Sequence, residues 1–411
     1  MKTTVVIVGA GQAGLAMSHR LTGSSIDHVL LERGSVAQSW RSERWDSLRL
    51  LTPNWMSNLP GFSYRGEVPD GFMRAHEVVA FLDRYRASFG APIIENAIVT
   101  AVRRNAAGYL VDAGGERWQA RAVVVAAGAA STPRIPRVAS AIPQAVNQLS
   151  SLDYRNPDQL DEGGVLVVGA SASGTQIADE LAIAGFDVVL AVGEHLRVPR
   201  MYRGMDIHWW LQSLGVLDER FDTVDDIARV RSLPSLQLIG TPERRNLDIN
   251  TLMDIGVEVV GRLVGVASGR AQFSGGLPNA VKSADLKQDR LLDAIDDYAF
   301  ANGLDSELSA PERAAPTAVG QPATGVDISR FKTVIWATGY RPSYPWLDAT
   351  VLDGKGAVIH YGGVMPSPGM YVLGLRFMRR RRSNFLDGVG QDATYLAGHL
   401  SAYLDKFAAR S

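Results

Sequence analysis

The run TTVVIVGAGQAGLAMSHRLTGSSIDHVLLER, residues 3–33, decides the fold. Val5 to Val8 is a short apolar run of the kind that forms a buried parallel strand. Gly9-Ala10-Gly11-Gln12-Ala13-Gly14 follows, then a stretch without a helix breaker until Gly23, then a second strand at Val29–Leu31 that ends in Glu32. Gly9 permits a tight turn out of the strand, and Gly11 lets backbone N–H groups close on a pyrophosphate at the helix N-terminus. Gly14 lets helix and strand pack closely, and Glu32 is placed to accept the hydroxyls of an adenosine ribose. A glycine-rich turn alone is weak evidence. Here strand, turn, helix and terminal acid agree, and the unit reads as a dinucleotide site.

The same pattern returns at Gly163. GGVLVVGASASGTQIADELAIAGFDVVLAV repeats strand, glycine turn, helix and strand, with Gly169 standing 160 positions after Gly9. The second turn is Gly169-Ala170-Ser171-Ala172-Ser173-Gly174, with Ser at the middle glycine's place. A small hydroxyl still allows close approach and offers a phosphate a donor. No acid stands where Glu32 stood; Arg197, Arg200 and Arg203 follow instead. Loss of the ribose acid beside arginines points to an adenosine 2′-phosphate, hence NADPH over NADH. Pairing of these arginines with acids such as Glu194 is the competing reading.

Two βαβ units imply two dinucleotides, most simply FAD and NAD(P)H held so that a hydride passes to the flavin. The expected class is α/β, with two Rossmann-like dinucleotide-binding domains in a glutathione-reductase-like two-domain flavoprotein. AVVVAAG (122–128) and FKTVIWATGY (331–340) are both apolar strands ending on small residues, where backbone approaches a ligand. They fit a first domain that the chain leaves and re-enters. Residues 1–140 plus 326–411 are assigned to FAD, and 160–325 to NAD(P)H, with a largely helical insertion at about 206–320.

Between these landmarks, residues 35–73 lack a sustained period and read as an extended loop. Three tryptophans (Trp40, Trp45, Trp55) within sixteen residues suit either partial core or stacking against a flat cofactor. His76 to Phe89 is amphipathic and helical, with His76 a helix-start residue. Ile98–Val102, Tyr109–Val111 and Arg117–Arg121 read as a small meander, and STPRIP (131–136) breaks the regular structure. Ile207–Leu217, Val224–Arg231 and Asp285–Phe300 read as helices, Gly256–Val266 as β-prone, Ser309–Gly325 as a loop, and about Ala393 to Ala408 as the last helix. Arg379 to Arg382 reads as a solvated face.

Composition narrows the class. At 411 residues, with 46% hydrophobic and 21% charged residues, the chain suits a soluble globular protein of two or three domains. A net charge of −1 argues against a general nucleic-acid or membrane-surface role. No apolar run reaches the roughly 18 residues a bilayer span needs. The first strand begins almost at Met1, so a cytoplasmic protein without signal peptide is expected. There is no cysteine, which excludes thiolate metal sites and any CxxC redox step; no metal site is expected.

With these residues in hand, the chain resembles bacterial members of the flavin-containing monooxygenase group, the single-component class B enzymes. GAGQAG with Glu32, SWR (39–41), LLTPNW (50–55), DYRNP (153–157), VVGASASG and WATGYRPSYPWL carry the likeness along nearly the whole chain. It implies FAD on Gly9, Gly11, Gln12, Ala13, Gly14, Glu32 and Arg33. Gln38, Ser39, Trp40, Arg41, Leu51, Thr52, Val102, Ala127, Gly128 and Asp387 would lie near it. NADPH is implied on Gly169, Ser171, Ala172, Ser173, Gly174, Arg197 and Arg200, with Thr338 and Gly339 also at a cofactor. Asn54 matches a family asparagine near the reactive flavin edge and is the candidate catalytic residue; a turn residue after Pro53 is the alternative.

One departure matters. The family's FxGxxxH stretch, with an aromatic four residues on, is here QAVNQLSSLDY (144–154). Tyr154 fits, but Ser150 replaces the His that helps keep NADP in place, and Gln144 and Val146 replace Phe and Gly. The implied reaction is NADPH-driven insertion of one oxygen of O₂ into a small-molecule substrate, through a C4a-(hydro)peroxyflavin, at nitrogen, sulfur or a ketone. An NAD(P)H oxidase or reductase, and a non-catalytic FAD/NADPH redox sensor, stay open; so does a homodimer. Neither nucleic acid nor membrane is expected as a partner.

Overall fold

Continuous apolar runs form strands only where both faces are covered, and two parallel sheets supply that cover here. The computed structural model describes residues 1–129 and 132–408; Ser131, the first residue of the expected break, lies outside them. The chain runs β1 (Val5–Val8), α1 (Gln12–Gly23), β2 (His28–Leu31), α2 (Ala75–Phe89), β3 (Ile93–Ile94) and β4 (Ala122–Val125). It continues as β5 (Asn147–Ser150), β6 (Gly164–Val168), α3 (Ala172–Ile183), β7 (Val188–Val192), β8 (Glu258–Gly261), α4 (Leu277–Ala301) and β9 (Phe331–Trp336). β10 (Met370–Val372) and α5 (Val389–Ala408) close it.

The first sheet has the order β10-β4-β1-β2-β3 and the second β5-β9-β6-β7-β8, all pairs parallel. In each, the strand before the glycine turn lies between strands that run off to opposite sides. That is the switch point where α/β sheets hold ligands beyond their strands' carboxyl ends. The meander forms as Val99–Asn105, Gly108–Ala113 and Glu116–Ala120.

The sheet pairing shifts one expected boundary. β9, placed by the sequence reading on the returning side at 326, pairs with β5 and β6 in the second sheet; only β10 rejoins the first. Two apolar strands ending on small residues look alike in sequence, and register alone separates them. The two crossings, at Thr132–Pro133 and Tyr340–Arg341, pair antiparallel with each other. The block at about 206–320 is also less helical than expected, since β8 completes the second sheet and Leu263–Ala267 and Arg270–Phe273 form an antiparallel pair.

The long loop after β2 ties the halves together. It carries a short helix, Gln38–Ser42, and a 3₁₀ turn, Asn54–Met56. Trp45 and Leu48 are buried in the core beneath the second sheet, and Trp40 packs against both cores. Trp40 and Trp45 thus stand at the seam, while Trp55 packs against Met56, Leu211 and Leu217.

Glycine is required at two matched points. A Cβ on Gly14 would fall on the carbonyl oxygen of Gly9, and one on Gly174 on that of Gly169. Gly11 differs, for its Cβ would meet nothing within 4 Å. Gly174→Ala is therefore expected to lower stability by about 1–3 kcal/mol through overpacking. Gly11→Ala should leave the urea-unfolding midpoint nearly unchanged, and equal midpoints for the two variants would contradict the packing account.

Candidate functional site

Each glycine turn delivers a helix N-terminus to the carboxyl end of its sheet. Gly9 has φ +105° and Gly169 φ +110°, conformations that L side chains rarely adopt. α1 begins at Gly11 and α3 at Ser171, and neither N-cap makes a side-chain capping bond. Neither helix has an acid in its first turn. By contrast Asp206, Asp226 and Asp248 each accept a backbone N–H at the start of the short helices they precede. The two glycine-turn helices thus keep their N–H groups for an anion.

At the first turn, Glu32 is buried; its Oε2 accepts from Ala10 N at 2.7 Å and its Oε1 from Gly34 N at 3.2 Å. The carboxylate therefore stands beside the turn at the end of β2. The C-terminal segment closes over α1, with Gln12 Nε2 donating to Asn384 O at 2.9 Å and Gly374 lying against Ala13. Asp387, in the same segment, accepts from Arg382 Nη1 at 2.9 Å through Oδ2, while its Oδ1 is buried without a protein partner. Gly128, just past β4, has φ +79° and open space where a Cβ would stand. An open middle glycine, a held acid and an orphaned carboxylate oxygen fit FAD. When bound, Gly9, Gly11, Gly14, Glu32 and Asp387 would hold it.

The other residues expected near the cofactors have the following places in the fold. Arg33 pairs with Glu43, and Arg41 donates to Val36 O and to Asp83. Gln38 accepts from Ser35 N and donates to Ser42 Oγ. Val102 sits in the meander's core with its N–H on Trp346 O. Ser39 lies in the short Gln38–Ser42 helix, and Leu51 gives its carbonyl to Arg200. Thr52 is half-buried beside Pro53. Ala127 follows β4, and Thr338 Oγ1 donates to Arg134 O while Gly339 O accepts from Arg134 N, in the crossing ribbon. Asn54 is buried, with Nδ2 donating to Val68 O and Oδ1 accepting from Met73 N, both at 2.9 Å. It clamps the 68–73 loop, which is the turn-residue alternative.

The arginine reading of the second turn is corrected. Arg197 is buried; its guanidinium pairs with Asp248 and Asp285 and donates to Ala315 O. Arg200 is fully buried, on Asp206 (Nε–Oδ2 2.9 Å) and Leu51 O, over the Phe72 ring. Arg203 pairs with Asp305 and Asp296. All three cross-link the inserted block and none is free for a 2′-phosphate. The basic run is likewise a clasp: Arg381 pairs with Glu219, and Arg382 bridges Asp218 and Asp387. Ser171, Ala172, Ser173 and Gly174 do form the second turn, and the Ser173 hydroxyl lies 3.4 Å from Tyr340 Oη.

Known proteins place this geometry. The family model for pyridine nucleotide-disulphide oxidoreductases matches residues 6–212. An uncharacterized oxidoreductase, CzcO-like, of Geobacillus kaustophilus is 31% identical over 95% of this chain and 96% of its own length. Indole-3-pyruvate monooxygenase YUCCA4 of Oryza sativa is 26% identical over 94% of this chain and 85% of its own. Among solved structures, the flavin-containing monooxygenase of Stenotrophomonas maltophilia superposes with a TM-score of 0.68 at 20% identity, covering 98% and 99% of the two chains. The chain belongs to the pyridine nucleotide-disulphide oxidoreductase family. It is a flavin-dependent oxidoreductase of two Rossmann-like sheets that uses FAD and NAD(P)H. Among the described residues, no helix is long and apolar enough to cross a membrane.

Two predictions follow from the buried charges. Arg197→Ala leaves Asp248 and Asp285 without their guanidinium and should cost about 3–5 kcal/mol of stability. The NADPH-to-NADH preference in steady-state kinetics should stay within about twofold; a larger swing would return Arg197 to the 2′-phosphate. The second concerns Asp392, in the first turn of α5, whose pKa burial raises to about 6, with Arg379 and Arg380 opposing. A carboxyl raised in the folded state holds its proton between about pH 4 and 6, so it destabilises the fold as pH rises through that window. The stability of Asp392→Asn relative to wild type should therefore increase by about 2–3 kcal/mol from pH 4 to pH 8. Chemical denaturation at both pH values gives the difference, and a flat difference would refute the burial argument.

Proposed function

We propose that the protein is an NADPH-dependent flavoprotein monooxygenase that inserts one oxygen atom of O₂ into a small-molecule substrate, at an amine nitrogen, a sulfur or a ketone. One observation carries the reading. Two glycine-turn helices with uncapped N-termini open at the switch points of two parallel sheets whose cores share the loop residue Trp40. The names of the relatives support it, since the plant relative is an indole-3-pyruvate monooxygenase. When bound, FAD would supply the two-electron redox chemistry that links the nicotinamide to O₂.

The chain's residues bind, orient and enclose. Gly9, Gly11 and Gly14 let α1 meet a pyrophosphate, and Glu32 takes the ribose. Gly169, Ser171 and Gly174 do the same for the nicotinamide dinucleotide. Trp40, Trp45 and Leu48 exclude water at the seam. Asn54 fixes the 68–73 loop through both atoms of its side-chain amide. Asp387 keeps an unpartnered Oδ1 toward the first cofactor; burial raises its pKa to about 6, with Arg382 opposing.

A second reading, NAD(P)H oxidase or reductase, draws on Ser150. Its hydroxyl donates to Asp153 Oδ2 at 2.6 Å and is turned into a local turn. To separate the readings, the purified protein is assayed aerobically with NADPH and a panel of a thioether, a tertiary amine and an aryl ketone. With at least one acceptor, oxygenated product should appear and peroxide should fall short of the NADPH consumed. Stoichiometric peroxide with every acceptor would establish the oxidase, and protein purified without flavin would overturn both readings.

A further inference from the structure

Arg381 and Arg382 hold the joint between the halves, but Arg379, the first of the basic run, is turned elsewhere. Among the described residues no carboxylate lies within ion-pair distance of its guanidinium. Asp222 and Asp392 are close enough to feel its charge yet stand outside pairing distance. Its Nη1 donates to Gly362 O at 3.2 Å, and its central carbon stands 3.3 Å from the centre of the Tyr395 ring. Nε and Nη2 make no hydrogen bond among the described residues. The neighbouring arginines differ. Arg220 has both Nε and Nη2 on Asp222, and Arg380 stands 3.9 Å from Asp218 and from Asp392. A free guanidinium edge is a fork that matches a planar oxyanion.

Arg379 lines a cleft of about 610 Å³ between residues 220–222, the turn at Tyr361 and the exposed face of α5. Its volume is that of a small-molecule site, and no residue of either glycine turn lines it. Three aromatic rings wall it: Phe221, Tyr361 and Tyr395. Tyr361 is 72% exposed and Tyr395 48%. Single exposed rings need no explanation, but here three surround one free guanidinium. Backbone geometry holds these walls. Tyr361 and Val364 exchange both N–H···O bonds across Gly362 and Gly363, whose φ of +54° and +95° make a two-residue turn that favours glycine. Phe221 N donates to Arg379 O at 3.0 Å, and its ring meets that of Tyr361 edge-to-face with centroids 5.0 Å apart. A Cβ on Gly362 would fall 2.6 Å from Arg379 Nη1 and 3.3 Å from Phe221 Cζ. Glycine there leaves the space in which guanidinium and ring stand.

We propose that this cleft is a further ligand site, for a small molecule that carries a planar aromatic ring and an oxyanion, carboxylate or phosphate. Arg379 takes the anion through Nε and Nη2, and Tyr361 and Phe221 take the ring, edge-to-face or offset-stacked. Stacking on Tyr395 holds the guanidinium in place beforehand, so binding removes less rotamer freedom than it would from a free arginine. A neutral ring leaves the cation unanswered, and an anion without a ring leaves the aromatic faces in water. Phe221 comes from the inserted block, and Arg379, Tyr361 and Tyr395 come from the returning C-terminal segment. An occupant therefore touches both halves and strengthens their joining in proportion to occupancy. The site lies outside both glycine turns and is independent of the reaction proposed above.

The test titrates the full-length, flavin-loaded protein by calorimetry with naphthoate, naphthyl phosphate, naphthol and cyclohexanecarboxylate, for wild type, Arg379→Gln, Arg379→Lys and Tyr361→Ser. Flavin content and the unfolding midpoint are read on the same samples. Naphthoate or naphthyl phosphate should bind wild type saturably, and whichever binds more tightly identifies the anion. Naphthol and cyclohexanecarboxylate should bind at least about tenfold more weakly. Arg379→Gln should raise the dissociation constant of the tighter ligand about tenfold, with Arg379→Lys regaining part of the loss and flavin content unchanged. Tyr361→Ser should raise it severalfold. This second variant alters an exposed side chain, so it keeps the test decisive should Arg379→Gln lower the unfolding midpoint. Wild type that binds neither aromatic anion would overturn the site. Affinity unchanged in both Arg379→Gln and Tyr361→Ser would put the occupant elsewhere and overturn it as well.

Discussion

The contact of a helix with the turn that precedes it governs the architecture. Gly14 stands against the Gly9 carbonyl and Gly174 against that of Gly169, at distances that leave no room for a methyl group. That approach fixes where α1 and α3 start relative to β1 and β6. It points the N-termini at the open carboxyl ends of the sheets, where strand order reverses. Everything chemical in the molecule is arranged about those two points. Glu32 is held at one of them, and Tyr340 and Ser173 meet at the other.

Two such units have little value unless they are held face to face, and the chain does this by exchanging side chains between its halves. Trp45 and Leu48 leave the first half to complete the second core. In the other direction, residues 218–221 lie along 379–381, with Phe221 N on Arg379 O and Arg381 N on Glu219 O. The arginines of that run pair with acids on both sides of the joint. A run of four cations in a near-neutral chain is thus an ionic joint. Being partly buried, its pairs gain more from their low-dielectric setting than exposed pairs do, and lose more when one partner is removed.

What sequence reveals here divides by distance along the chain. The glycine turns, their strands and Glu32 are legible because each requirement is met within about thirty residues and rests on backbone sterics that few residues satisfy. Arg197 and Arg203 were misread because their partners are remote, whereas the partner of Arg200, Asp206, is six residues on. Asp248 and Asp285 lie 51 and 88 positions from Arg197, and nothing local marks them as its counter-ions. β9 was assigned to the wrong sheet for a related reason: apolar composition makes a strand, but neighbouring strands decide which sheet it joins. The two loop partners of Asn54, Val68 and Met73, lie 14 and 19 positions on, beyond the reach of local sequence reading. Ser150 drew notice by occupying a motif position, yet a one-residue step in an extended segment reverses the direction of the side chain, and it is Ser151 whose hydroxyl meets Tyr340.

Several short helices and 3₁₀ turns of the chain are capped by aspartate, where α1, α3 and the long α4 are not. Aspartate caps the starts of the helices at Ile207, Ile227 and Ile249 and of the 3₁₀ turns at Ile328 and Ala349. Each such cap is worth about 1 kcal/mol, so leaving α1 and α3 without one forgoes a gain the chain takes elsewhere. An aspartate at Gly11 or Ser171 would satisfy the same N–H groups that a phosphate must reach and would repel its charge. The protein therefore keeps its two most central helices under-satisfied at the N-terminus, and folding stability has to come from the packing around them. That is consistent with the buried residues of α1 and α3 being largely apolar, and with both helices resting on strands buried on both faces. Binding energy at the open termini then adds to stability in proportion to nucleotide occupancy. The halves of the molecule are thus coupled through the ligands they hold as well as through the side chains they exchange.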